Sequence, residues 1–185
     1  MERLREVLAF VNHKGGVGKT TTVQNLAAGL RLYGKGKFGV DADGHKRLPR
    51  VLIIDLDPQA CASFLFGWSE TQNVGKPTVY DAMVQQSNLP IYQVREGIYL
   101  APVASRLISI EPFLNQRAVP RKVLYRLLAK PLNELSGTEL ADEGVTTVTE
   151  AFDYVLIDCP PAMSLLTYNA LTAATSVVLP VQLEV

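Results

Sequence analysis

Apolar residues are not spread evenly along this chain. Residues 7–11, 51–55 and 154–158 form short, nearly continuous apolar runs, each followed closely by glycine, proline or charged residues. Runs of this length without alternation predict parallel strands covered on both faces. Residues 20–33 carry Val23, Leu26, Ala27 and Leu30 at helical spacing, and Gly34 supplies a stop. Shorter segments predict helices over 60–68, 78–86 and 167–174, and strands over 97–101 and 176–181. Residues 120–135 read as a helix with Leu124, Leu127 and Leu128 inward, which Pro131 kinks or ends. The polar stretches 35–50 and 136–150 predict a surface loop or hairpin and a loop or frayed helix. Strand alternating with helix predicts an α/β domain built on a mostly parallel sheet with helices on its faces.

Composition narrows this reading. With 185 residues and 48% hydrophobic content, the chain can bury one substantial core, so residues 1–185 are expected to form a single domain. Eighteen basic residues balance eighteen acidic ones, which argues against a globally basic nucleic-acid binder but leaves room for a local basic patch. Cys61 and Cys159 stand far apart, outside any metal-ligand spacing. No apolar stretch approaches the length of a membrane span, and no signal peptide is evident. The expectation is a reduced, soluble, cytoplasmic protein.

The junction between the first strand and the first helix carries the candidate chemistry. It reads Asn12-His13-Lys14-Gly15-Gly16-Val17-Gly18-Lys19-Thr20-Thr21, a Gly-rich turn ending in Gly-Lys-Thr. A strict P-loop has its first glycine where His13 stands; here Lys14 precedes a glycine pair instead. Glycines let successive backbone N–H groups converge on a phosphate, and the helix N-terminus adds unpaired donors and a favourable dipole. Lys19 is then placed for the β- and γ-phosphates, and the Thr20 hydroxyl for Mg²⁺.

Two apolar strands end in acids, Asp55 with Asp57 and Asp158, at the edge where α/β sheets bind ligands. Strand-end carboxylates of this kind hold Mg²⁺ or orient an attacking water, although each could also simply cap its turn. No Ser-His-Asp or Cys-His set is evident that would point to acyl transfer. Lys122, Arg126 and Lys130 recur every four residues, with Arg117 and Arg121 nearby. This pattern fits an anion-contacting face or an ordinary solvated one.

Three stretches in this order, residues 14–21, Asp55-Leu56-Asp57-Pro58-Gln59 and residues 154–161, resemble the deviant Walker A ATPases of the ParA/MinD family. The partition-type, Soj-like branch is the nearer one. Residues 25–28, 166–171 and 179–182 extend the similarity, so it runs across nearly the whole chain. The resemblance implies a three-layer P-loop NTPase fold, ATP and Mg²⁺ as cofactors, and an ATP-sandwich homodimer. It places residues 14–21 (Lys14, Gly15, Gly16, Val17, Gly18, Lys19, Thr20 and Thr21) around the nucleotide. Lys14 would act across the dimer on the partner copy's nucleotide, Thr21 would meet the α-phosphate, and Thr20, Asp55 and Asp158 would surround Mg²⁺. Asp57 would orient the attacking water. It also implies nonspecific DNA binding by the ATP-bound dimer, association with the nucleoid, and stimulation of hydrolysis by a ParB-like partner during plasmid or chromosome partition. A MinD-like positioning ATPase, or a truncated or degenerate nucleotide-binding module that acts as an assembly scaffold without efficient turnover, are the alternatives. Two departures stand out: the 35–50 insert is longer than usual, and family members usually continue well past the Pro180-Val181-Gln182 segment.

Overall fold

A computed structural model describes residues 6–34, 48–130 and 147–183. In chain order the elements are β1 (Glu6–Phe10), α1 (Lys19–Tyr33), β2 (Val51–Asp55), α2 (Cys61–Leu65), α3 (Val79–Gln85), β3 (Tyr92–Arg95), β4 (Ile98–Ala101), α4 (Glu111–Asn115), α5 (Val123–Leu128), α6 (Val148–Ala151), β5 (Tyr154–Asp158), α7 (Leu165–Ala173) and β6 (Ser176–Val178). The strands form one sheet in the order β3-β4-β2-β5-β1-β6. Only the β3–β4 pair is antiparallel.

The continuous apolar runs are explained by burial on both faces. Every residue of β2 is fully buried, with Val51 and Ile53 in one apolar cluster and Leu52 and Ile54 in the other. The first cluster takes Val23 and Ala27 from α1; the second takes Met83 from α3, Leu124 and Leu127 from α5 and Ala170 from α7. The result is the expected three layers, with α1 on one face of the sheet and α3 to α7 on the other.

Several boundaries differ from the sequence expectation. The 60–68 helix is only α2, because Gly67 adopts φ +82 and turns the chain into Trp68. Residues 120–122 form a 3-10 turn, and α5 ends at Leu128, before Pro131. The last strand stops at Val178, two residues before Pro180, whose lack of an N–H cannot continue a ladder. Within the 136–150 segment, Thr147 and Glu150 close a reciprocal cap that starts α6. Residues 35–47 of the insert and 131–146 lie outside the described residues, and 48–50 have no regular structure.

Asn169, buried in α7, ties that helix to the start of α5 and to the turn that precedes it. Its Oδ1 accepts from the Leu124 N–H at 3.0 Å, while its Nδ2 donates to the Pro120 and Leu165 carbonyls at 2.9 and 2.8 Å. A second local feature lies at the start of α2, where Ala60 is held in the left-handed region at φ +57. A side chain there costs about 1–2 kcal/mol that glycine avoids. Ala60→Gly is therefore expected to raise unfolding stability by about 0.5–1 kcal/mol, after glycine's greater unfolded entropy is counted. Urea denaturation checks this, and an unchanged or lower midpoint would count against strain at Ala60.

Candidate functional site

β1 ends with the buried Phe10, and the chain leaves the sheet as the turn 12–18. Gly16 and Gly18 have φ of +74 and +90, and a Cβ at Gly15, Gly16 or Gly18 would meet nothing within 4 Å. Glycine is therefore favoured at 16 and 18 by backbone conformation, where any side chain would be strained, and the turn borders open space rather than packed atoms. Val17 and Gly18 are half-buried behind it. α1 begins at Lys19 with no side-chain cap and no acid in its first turn, so its terminal N–H groups and dipole face that space. Such an opening favours an anion.

Lys19 is buried, and its Nζ donates to the Lys14 carbonyl at 3.1 Å. The Lys14 N–H donates to Asn12 Oδ1 at 2.9 Å, and Asn12 Nδ2 donates to the Pro180 carbonyl at 2.8 Å. Both ends of the Lys14 peptide are thus held while its side chain stays exposed. Thr21 is exposed beside the turn, and its carbonyl accepts from Asn25 Nδ2 at 2.8 Å.

Strand register brings the acids together. Asp55 stands opposite Asp158, and Asp158 opposite Phe10, in one row at the carboxyl edge of the sheet. The Thr20 hydroxyl donates to Asp158 Oδ2 at 2.7 Å, and Asp158 Oδ1 is buried with no hydrogen-bond partner among the described residues. Asp55 is fully engaged: its Oδ2 accepts from the Ser63 N–H and hydroxyl, both at 2.7 Å, and its Oδ1 from the Asp57 N–H at 3.0 Å. Asp57 is half-buried, with Oδ1 accepting from the Gln59 N–H at 3.0 Å.

Burial pushes the Asp55 carboxyl up to about 7, with the charge of Asp158 adding and the Ser63 and Asp57 bonds opposing. Burial likewise raises Asp158 to about 6, against the Thr20 hydroxyl and the positive charge of Lys19 and with the charge of Asp57. An orphaned, buried carboxylate oxygen beside a threonine hydroxyl suits a hard divalent cation that keeps water and phosphate oxygens as its other ligands. Among the described residues no three His, Cys, Asp or Glu side chains gather as a ready-made metal cluster. Burial drives the Cys159 thiol well above its usual range, leaving it an inert core group.

The five basic residues lie together near α5 but do different things. Arg117 donates to the Val84 carbonyl and Lys130 to the Gln86 carbonyl, so both close the carboxyl end of α3. The Arg121 guanidinium stacks 4.5 Å from the centre of the Tyr168 ring. Lys122 and Arg126 are exposed, with no ion pair among the described residues. Sequence reasoning missed Asn12, Ser63 and Asn169.

A glycine turn opening a helix, a buried lysine above it and strand-end acids at the edge of a parallel sheet define a P-loop nucleotide-binding domain. A family model described as an AAA domain matches residues 5–185; the chain belongs to that family, within its ParA/MinD-type P-loop ATPases. It is 35% identical over 182 residues to the sporulation initiation inhibitor protein Soj of Bacillus subtilis, covering 97% of this chain and 59% of Soj. Identity to the chromosome partitioning protein ParA of Caulobacter vibrioides is 35% over 181 residues, covering 96% of this chain and 56% of ParA. Among solved structures, a cobyrinic acid a,c-diamide synthase from Mycobacterium smegmatis with bound ATP analogue and magnesium is 33% identical, with a TM-score of 0.73 over 98% of this chain and 62% of that one. A McdA–ATP complex from Cyanothece, 22% identical with a TM-score of 0.71, shares the fold. The chain thus spans less than two thirds of the length of these relatives. Among the described residues no helix is long and apolar enough to cross a membrane.

The paired acids make ligand-free stability depend on pH. Their folded values lie above the ordinary 3.8, so the folded chain holds their protons through a range where the unfolded chain has lost them. Their contribution is complete below about pH 4 and is lost as pH rises through 6 and 7. Asp158→Asn removes one buried charge, and is expected to stabilise the ligand-free chain by about 1–2 kcal/mol at pH 8. Urea denaturation should show that gain shrinking towards pH 4; a gain equal at both values would contradict the assignment.

Proposed function

We propose that this chain is the ATP-binding and hydrolysing part of a partition-type ATPase, with Mg²⁺ held by Thr20 and Asp158. The observation that carries the reading is the Thr20–Asp158 contact beside the unpartnered Asp158 Oδ1, directly next to the open glycine turn and Lys19. The N–H groups of residues 15–21 bind the phosphates, and Lys19 leaves or shares the Lys14 carbonyl to contact the β- and γ-phosphates. Mg²⁺, when bound, supplies charge neutralisation at the phosphate oxygens. Asp57 orients a water for attack on the γ-phosphorus; the bond to the β-phosphate oxygen breaks, giving ADP and phosphate. Asp55 remains the second acid of the metal environment and holds the Asp57 backbone.

Lys14 acts in trans: a second copy of the chain presents it to the nucleotide, where its charge offsets that developing on the phosphoryl group. In this reading the chain forms an ATP-dependent homodimer that binds DNA nonspecifically, associates with the nucleoid and is stimulated by a ParB-like partner; relatives named as chromosome partitioning proteins support the partition role. On this chain Lys122, Arg126 and the stacked Arg121 are the DNA-facing cations, with Arg117 and Lys130 at the margin.

Three variants test the reading. Lys19→Ala should weaken ATP binding by about 100-fold or more, measured by isothermal titration, because a buried charge-assisted contact is lost. Lys14→Ala should leave affinity nearly intact and reduce phosphate release by about 100-fold or more; equal turnover would remove the trans role. Lys122→Glu with Arg126→Glu should weaken DNA binding and flatten its salt dependence by about two units of slope, read by anisotropy across a salt series. An unaltered slope would place the DNA elsewhere.

A further inference from the structure

We infer that Ser63 is a positioning residue for the ATPase site proposed above: by bonding both Asp55 and the exit of β4, it sets where Asp57 stands. Ser63 lies within α2 and is fully buried. Its N–H and hydroxyl both donate to Asp55 Oδ2 at 2.7 Å, and its Oγ accepts from the Val103 N–H at 3.1 Å. Asp55 Oδ1 in turn accepts from the Asp57 N–H at 3.0 Å. A continuous hydrogen-bonded line therefore runs from Val103, just beyond β4, through Ser63 and Asp55 to the backbone of the acid that orients water.

Two donors on a single oxygen fix the plane of the Asp55 carboxylate as well as its distance. With both oxygens of Asp55 engaged, Asp158 Oδ1 is the buried carboxylate oxygen left without a partner among the described residues. Ser63 thereby separates the two neighbouring acids into an anchor and a cation-facing group. The turn it closes is not held by local preference alone. Ala60, between Asp57 and Ser63, stands at φ +57, a conformation that persists only where surrounding bonds over-determine it. The bonds at the two ends of the 55–63 segment are those of Asp55 with Ser63.

The inference rests on the ATPase reading, and its test separates the two. Ser63→Ala and Ser63→Thr are compared with the unmutated chain for affinity towards a fluorescent ATP analogue with Mg²⁺, for steady-state turnover, and for amide exchange at Val103, Asp57 and Leu56. In Ser63→Ala turnover should fall about tenfold or more, as expected for a misplaced catalytic group, with analogue affinity changed by less than about threefold. Exchange at Val103 and Asp57 should quicken about tenfold, while Leu56, whose N–H goes to the Asp158 carbonyl at 2.9 Å, stays protected. Ser63→Thr keeps the hydroxyl and should recover most of the turnover. A folded Ser63→Ala chain with unaltered turnover overturns the inference, as does equal loss in affinity and turnover. Should Ser63→Ala fail to fold, Ser63→Thr decides: folded but inactive, it rejects the role, and folded and active, it supports it. An unmutated chain without turnover defeats the ATPase reading instead; Ser63 is then judged on exchange, and unchanged Asp57 exchange in Ser63→Ala rejects it.

Discussion

Two carboxylates forced into adjacent strand positions are the constraint on which the site depends. The β2–β5 register sets Asp55 beside Asp158 with both buried, so burial raises the cost of ionising each and the charge of Asp158 adds to it at Asp55. Asp55 is satisfied by Ser63 and Asp57, and Asp158 by Thr20 on one oxygen alone. Among the described residues the deficit left at these two acids lies at Asp158 Oδ1. A cation bound there would relieve it without moving the sheet, because the strands that carry the acids are fixed on both faces by apolar packing. Tension at the edge and rigidity behind it are two outcomes of the same parallel packing.

Most of this fold could be read from the chain because its central strands carry an unusually plain signal. Residues 51–54 and 154–157 are uninterrupted apolar runs that end in an aspartate, and both strands prove buried through almost their whole length. β3 was not foreseen. Tyr92–Arg95 is an edge strand, half-buried at Tyr92 and Val94 and exposed at Gln93 and Arg95, and four alternating residues are too short a signal beside a glycine turn. Helix lengths were overestimated at α2 and α5 because apolar spacing continues beyond the last helical residue into Trp68 and towards the proline at 131.

In the site, the residues with charge or glycine chemistry were legible and those acting through amides and hydroxyls were not. Lys19, Thr20 and Asp158 announce themselves by type and spacing, and the structure brings them together. Asn12, Ser63 and Asn169 are ordinary polar residues whose partners are distant: Ser63 meets Val103 from 40 positions away, and Asn169 meets Leu124 from 45. Nothing local distinguishes a buried serine that holds an aspartate from one on the surface. In the basic stripe, Lys130 keeps the four-residue spacing and Arg117 lies nearby, and both donate to carbonyls at the end of α3, partners that spacing alone does not reveal.

The glycine turn itself is a tertiary product. Its sequence permits the required backbone, but two long-range bonds select it: Asn12 reaches Pro180 across 168 positions, and Thr20 reaches Asp158 across 138. One bond lies on each side of the turn, and Lys19 closes it from within through the Lys14 carbonyl. The turn can therefore be complete only when β1 is flanked by both β5 and β6. An isolated strand–turn–helix unit would have the right glycines and lack the geometry, because neither Asn12 nor Thr20 would find its acceptor. The shape of the glycine turn is consequently coupled to the pairing of β6 with β1, and the order β5-β1-β6 is part of what forms it.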